Sequence, residues 1–170
     1  MKDAVPQEHK SHAPASVGCF VLTISDSKTS ETDTSGALIR ELLSAAGHRV
    51  TGHAIVKDDP EQMAAVIRSG CAAPSVEAFI LTGGTGITSR DSTYEAIEAL
   101  LDKRLAGFGE LFRMLSFQEI GAAAMLSRAQ GGVVQGRVLF SLPGSPNACR
   151  LALEKLIIPE LPHLIREVRR

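Results

Sequence analysis

The chain has 170 residues, enough for one domain with a sizeable core, and its hydrophobic fraction of 44% is ordinary for a globular protein. A net charge of −1 from mixed charges excludes the basic face of a nucleic-acid binder, no apolar run approaches the ~20 residues of a membrane span, and no apolar signal-peptide segment opens the chain. With no Trp and one Tyr the core must be aliphatic, and three cysteines without a Cys-x-x-Cys pair read as reduced thiols of a cytosolic protein.

Residues 1–16 are polar, carry Pro6, Pro14, His9 and His12, and lack periodicity. They read as a disordered tail before a single domain over residues 17–170. Cys19 to Ile24 is a nearly continuous apolar run, as in a strand buried on both faces of a parallel sheet, and it ends in Ser25-Asp26-Ser27. A polar loop over 28–33 leads to a helix expected from about Thr34 to Ala46. Leu38, Ile39, Leu42, Leu43 and Ala46 fall at helical spacing, and Gly47 stands where a C-terminal cap belongs.

A second strand over 48–56 ends in Lys57-Asp58-Asp59-Pro60. Asp59 suits a helix N-cap, Pro60 the first helical position, and Gln62 a capping-box partner. Asp58 is then a spare carboxylate at a strand end. The helix is expected to run to about Ser69, with Gly70 after it, and Pro74 breaks the chain before a third strand from Val76.

That strand feeds Leu81-Thr82-Gly83-Gly84-Thr85-Gly86-Ile87-Thr88-Ser89-Arg90-Asp91. Gly83, Gly84 and Gly86 permit backbone conformations closed to other residues and remove side chains that would hold a ligand away. Such a loop between strand and helix aims N–H groups and a helix N-terminus at an anion, most often a phosphate. It is not a Walker A loop, because no Lys follows, nor a dinucleotide fingerprint, because Ser89 stands where the third glycine belongs. Ser92-Thr93-Tyr94-Glu95 reads as a capping box for the next helix. Asp91 is then either a second cap or a carboxylate beside phosphate, and the latter implies an intervening Mg²⁺. Arg90 is either solvated or a phosphate ligand.

The helix after this loop is expected to end near Arg104, before a Gly-rich turn at Gly107-Phe108-Gly109-Glu110. Leu111 to Leu126 reads as helix in two pieces, and Val133 to Phe140 as strand, tight turn and strand. In Leu142-Pro143-Gly144-Ser145-Pro146, Ser145 caps a helix that begins at Pro146. Pro159 and Pro162 interrupt that helical run, and a last helix extends to Val168. Alternating strands and helices predict an α/β fold, a three-layer sandwich around a mostly parallel sheet with an antiparallel edge. In such sheets ligands bind beyond the carboxyl ends of the strands, which gathers Ser25-Asp26, Asp58-Asp59, the Gly-rich loop and Pro143 to Asn147 on one rim. The rim offers two helix N-termini and up to three carboxylates. Cys19 and Cys149 read as core thiols. His48, His53 and His163 form no metal spacing, and Glu110 and Arg113 admit either ligand or surface roles.

Thr82-Gly83-Gly84-Thr85-Gly86 with Arg90-Asp91, then Gly107-Phe108-Gly109-Glu110, then Leu142-Pro143-Gly144-Ser145-Pro146 resemble the MoaB/Mog family of molybdenum cofactor biosynthesis proteins. Residues 107–128 are similar to the MoaB branch. The resemblance covers about Val17 to Leu161. It implies a molybdopterin-binding fold and a molybdopterin adenylyltransferase that uses MgATP and releases pyrophosphate. Asp58 and Asp91 correspond to the catalytic, metal-holding aspartates. Ser25, Asp26, Gly83, Gly84, Thr85, Gly86, Arg90, Pro143, Gly144 and Ser145 would bind substrate. It further implies a cytoplasmic homo-oligomer, trimer or hexamer, with a non-catalytic molybdopterin-binding protein of the same family as the alternative.

Overall fold

The computed structural model describes residues 14–89 and 91–170. Residues 1–13, most of the expected tail, and Arg90 lie outside the described residues. Ser16, at the other end of that tail, donates its hydroxyl hydrogen to the Gly47 carbonyl at 2.8 Å.

Among the described residues the six strands are β1 (Gly18–Ile24), β2 (Arg49–Val56), β3 (Ala78–Thr82), β4 (Lys103–Arg104), β5 (Gln130–Val134) and β6 (Arg137–Leu142). The helices are α1 (Thr34–Ala45), α2 (Pro60–Ala72), α3 (Thr93–Leu100), α4 (Ala106–Ile120), α5 (Pro146–Ala152) and α6 (Ile158–Val168). A 3-10 segment, Gly121–Leu126, follows α4, and a π segment, Leu153–Ile157, joins α5 to α6. The sheet order is β2-β1-β3-β6-β5-β4. β2, β1, β3 and β6 run parallel, while β5 and β4 continue the edge antiparallel.

Side chains that alternate along the central strands build two cores. Cys19 and Val21, Ala78 and Ile80, and Val138 and Phe140 meet α1, α4, α5 and α6 on one face. Leu22 and Ile24, Phe79 and Leu81, and Leu139 meet Met63 and Ile67 of α2 and Ile97 of α3 on the other. This is the expected three-layer α/β sandwich with a mostly parallel sheet.

Asp59, Pro60 and Ser145 act as their spacing requires. Asp59 accepts from the Gln62 amide at 2.9 Å, and Ser145 Oγ accepts from the Ala148 amide at 3.3 Å. Four expectations fail. α3 stops at Leu100 rather than near Arg104, because Lys103 and Arg104 pair with β5 as β4. α2 passes Ser69 and includes Gly70, where a Cβ would lie 2.6 Å from the Phe79 ring, so this glycine serves helix–sheet packing rather than an ending. Gly107-Phe108-Gly109-Glu110 is the first turn of α4, not a loop, because Phe108 is drawn onto Phe140 with ring centroids 4.7 Å apart. Pro159 and Pro162 do not break the last helix: Pro159 stands in its first turn, after the π segment, and Pro162 is carried inside it.

Candidate functional site

All four parallel strands end on one rim. There the loops after β3 and β6 are tied together: Gly83 donates its amide to the Leu142 carbonyl at 3.0 Å and Thr82 its hydroxyl to the Pro143 carbonyl at 3.0 Å. Ser35, in the first turn of α1, donates to the Gly144 carbonyl at 2.7 Å. Gly83 has φ +108 and would carry a Cβ only 2.1 Å from the Ile24 carbonyl oxygen, so glycine is required where β3 passes the end of β1.

These two loops form one side of a cavity of about 450 Å³. Gly83, Gly84, Thr85, Gly86, Asp91, Pro143, Gly144 and Ser145, eight of the twelve residues singled out in the sequence, line it. The opposite wall is apolar and comes from α4 and the 3-10 segment, through Phe112, Ser116, Ile120, Ala124 and Leu126. Sequence reasoning missed this wall, because its residues carry only a helical apolar pattern. Ser25, Asp26 and Asp58 stand outside the cavity along the same rim. The Ser25 amide donates to the Val56 carbonyl at 2.8 Å, and the Asp58 amide donates to Asp26 Oδ1 at 3.4 Å.

Asp58 and Asp91 converge on the Gly-rich loop from different sides. A Cβ on Gly84 would lie 2.6 Å from Asp58 Oδ2, and one on Gly86 would lie 2.6 Å from Asp91 Oδ2. The anion the loop grips is Asp91's own carboxylate, whose Oδ2 accepts from the Thr88 amide at 2.8 Å and the Thr88 hydroxyl at 2.6 Å. The Thr88 hydroxyl, with the Thr88 and Gly86 amides and the Arg128 charge, outweighs partial burial and holds the Asp91 carboxyl below its ordinary value.

The expected Ser92–Glu95 capping box does not form. Ser92 makes no cap with its side chain; instead Asp58 Oδ1 accepts from the Ser92 amide at 3.2 Å and the Ser92 hydroxyl at 2.7 Å. Glu95 pairs with Arg128, which also donates to the Asp91 carbonyl at 3.2 Å and lies 5.1 Å from the centre of the Tyr94 ring. Asp58 is therefore the long-range cap of α3. Among the described residues no group of three or more His, Cys, Asp or Glu is placed to hold a metal, so the expected upper limit of three carboxylates is not reached.

A second polar cluster, also missed, fixes the rim from behind. Buried Asp33 caps α1 at the Gly36 amide (3.0 Å) and accepts from the Thr23 hydroxyl (2.6 Å); His53 Nε2 lies 3.1 Å away and Lys28 Nζ 3.7 Å. An Asp directly before a helix start was the available signal. Cys19 and Cys149 are free, buried thiols, and burial pushes them up to about 12 and about 11.

Residues 20–163 match the family described as "Probable molybdopterin binding domain". The chain belongs to the MoaB/Mog family. A family relative from Bacillus cereus, Molybdenum cofactor biosynthesis protein B, is 54% identical over 164 residues, which is 96% of this chain and 97% of the relative. A crystal structure of a Molybdenum cofactor biosynthesis protein B superposes with a TM-score of 0.90 at 54% identity, covering 94% of this chain and 99% of that one. The tungsten cofactor synthesizing protein MoaB from Pyrococcus furiosus superposes with a TM-score of 0.81 at 41% identity, covering 93% and 100%. A role in molybdenum cofactor biosynthesis and a molybdopterin-binding domain follow from family membership. No helix among the described residues is long and apolar enough to cross a membrane.

Proposed function

We propose that this protein is a molybdopterin adenylyltransferase, transferring AMP from MgATP to molybdopterin with release of pyrophosphate. The observation that carries this reading is the convergence of two carboxylates, Asp58 and Asp91, on the Gly-rich loop that lines the cavity. Beyond capping α3 and tying Thr88, two anions there would repel phosphate unless a cation lay between them. With a cation the arrangement has a purpose, since Mg²⁺ keeps its waters and takes one or two protein carboxylates beside substrate phosphates. The residues fit it: Asp91 is held ionised by Thr88, and Asp58 is fixed by Ser92.

In this reading the apolar wall of Phe112, Ile120 and Leu126 takes the pterin, and the backbone of Gly83 to Gly86 with Pro143-Gly144-Ser145 takes phosphate and adenylate. By sequence Arg90 belongs to the same loop and is a candidate phosphate ligand. Ser25 and Asp26 border the nucleotide side of the rim. A terminal phosphate oxygen of molybdopterin attacks the α-phosphorus of ATP, the bond between the α-phosphorus and the bridging oxygen breaks, and pyrophosphate leaves. The chain's own contribution is positioning, which for two held reactants is worth several orders of magnitude in rate. Asp91 and Asp58 would hold Mg²⁺, which when bound offsets the charge on the departing pyrophosphate. No covalent nucleophile is needed, in keeping with thiols that burial keeps protonated. The protein works in the cytoplasm as a homo-oligomer, trimer or hexamer.

The test is incubation of purified protein with molybdopterin and MgATP, reading adenylylated molybdopterin and pyrophosphate. Turnover by the wild type and its loss in Asp91→Ala, with molybdopterin still bound, is the expected result. Binding without turnover in both would make it a molybdopterin-binding protein only.

A further inference from the structure

The Gly-rich loop spends much of its donor capacity inside the protein. The Gly83 amide goes to the Leu142 carbonyl, and the Gly86 and Thr88 amides go to the Asp91 carboxylate. A phosphate in the cavity must therefore draw on other donors as well. The turn Pro143-Gly144-Ser145, which lines the same cavity, has them.

Both carbonyls at the start of this turn are held away from the cavity. Pro143 accepts from the Thr82 hydroxyl at 3.0 Å, and Gly144 accepts from the Ser35 hydroxyl at 2.7 Å. Thr82 and Ser35 are buried and do not line the cavity. The peptides are trans and planar, so the N–H that follows each carbonyl points the opposite way. The Gly144 and Ser145 amides are thereby turned outward, where both residues line the cavity. Neither amide donates to an acceptor among the described residues.

Ser35 is the support that reaches furthest, across 109 positions of sequence. Gly144 has no side chain to fix the peptide that follows it, so the hydroxyl does so. Ser35 is spared from capping α1, because Asp33 takes the Gly36 amide at 3.0 Å. Asp33 is itself fixed by the Thr23 hydroxyl at 2.6 Å, which ties the support back to β1.

We propose that Ser35 is a positioning residue for the transferred phosphate. By holding the Gly144 carbonyl it aims the Ser145 amide at a non-bridging oxygen of the α-phosphorus, and Thr82 aims the Gly144 amide in the same way. The proposal rests on reading the cavity as the adenylyl-transfer site. Charge in phosphoryl transfer is spread over the equatorial oxygens, and preorganised amides stabilise it without moving during the reaction.

Gly144-Ser145 is the one Gly-Ser step in the sequence, and Pro143-Gly144 the one Pro-Gly step. Isotope labels on the glycine carbonyl carbon and the serine nitrogen, introduced in cell-free synthesis of the full chain, therefore give a single carbonyl-edited Ser145 amide resonance. Labels on proline and glycine do the same for Gly144. The probes are AMP, which carries the phosphate in question, and inorganic phosphate. The wild-type Ser145 resonance should move downfield with both. In Ser35→Ala it should start elsewhere and lose the response. The kcat for adenylylation should fall roughly tenfold to a hundredfold, at or below the loss of one oxyanion donor, with KM for molybdopterin unchanged. Thr82→Val should act likewise on Gly144, and Thr82→Ser, which keeps the hydroxyl, should recover both resonance and kcat. That pair decides the matter should Ser35→Ala fail to fold. A wild-type Ser145 resonance indifferent to both probes overturns the proposal even if adenylylation proceeds, and the functional reading then stands without it. Ser35→Ala with wild-type resonance and kcat overturns it too. A wild type that responds at Ser145, loses the response in Ser35→Ala and never adenylylates molybdopterin keeps the positioning role and removes the transfer reaction.

Discussion

Asp58 and Ser92 are 34 residues apart in sequence, yet one oxygen of the Asp58 carboxylate accepts from both the amide and the hydroxyl of Ser92, at 3.2 and 2.7 Å. The end of β2 thereby fixes the start of α3. Asp58→Ala should lose a helix cap, about 1 kcal/mol of stability by urea unfolding, together with turnover. Asp58→Asn retains an acceptor oxygen and should recover most of the stability but not the pyrophosphate release. Full activity in Asp58→Asn would remove Asp58 from any metal-holding role.

Gly84 and Gly107 make a paired test. Gly84 has φ +63, and a Cβ there would lie 2.0 Å from Thr93 Oγ1 and 2.6 Å from Asp58 Oδ2. Gly84→Ala should cost ~1–3 kcal/mol from backbone strain alone and should weaken molybdopterin binding through the displaced loop. Gly107 lies in the first turn of α4 with nothing within 4 Å of an added Cβ. Gly107→Ala should stabilise the protein by about 0.5–1 kcal/mol in the same unfolding experiment.

The grip of Thr88 on Asp91 sets a pH dependence. The Asp91 carboxyl is held below its ordinary 3.8, first by the Thr88 hydroxyl. The ionised form therefore persists through the neutral and mildly acidic range, and a rate that requires it should fall only below pH 3.8. Thr88→Val removes the hydroxyl donor and should move that acid limb upward. An acid limb unmoved by the substitution would show that another group controls it.

Asp33 contributes to the acid stability. Burial pushes its carboxyl up, but the Thr23 hydroxyl, the Gly36 amide, Lys28 and His53 together bring it below 3.8. A depressed carboxylate stabilises the fold above its unfolded value, and that contribution is lost as pH falls through the folded value. Wild-type stability, followed by urea unfolding across acidic pH, should therefore decline below about pH 4, the ordinary range of an Asp carboxyl. Asp33→Asn should be less stable at neutral pH and show a shallower acid decline.

Cys149 should be chemically silent. Burial pushes its thiol up to about 11, so almost no thiolate exists at neutral pH. Alkylation by iodoacetamide should proceed only on unfolding, and Cys149→Ala should keep its turnover. Rapid modification of Cys149 in the folded protein, with loss of activity, would contradict this.

Local signals in the sequence were faithful where the chain answers to itself. Asp59-Pro60 and Ser145-Pro146 start helices as their spacing demands, and the polar ends of β1, β2, β3 and β6 lie together because the strands are parallel. The errors arise where a distant residue takes over a local role. Ser92 and Glu95 have the residues of a capping box, but Asp58 and Arg128 claim their side chains. Gly109 looks like a turn residue, yet a Cβ there would lie 2.8 Å from the Ala129 carbonyl oxygen, so it lets α4 approach the chain near β5. β4 is two residues long and exists only through its pairing with β5, so no periodicity could announce it. The cavity's lining loops were legible, and its apolar wall was not, because its residue types are those of any buried helix face.

The single tyrosine stands under Arg128, beside the loop that ends in Asp91, and the chain has no tryptophan. Near-ultraviolet absorption and intrinsic emission of this protein are therefore dominated by one residue at the rim. A ligand that shifts Arg128 alters the field over that ring directly. The molecule thus carries a native optical probe at the place where ligand and cation are expected to meet, and both can be followed without a label.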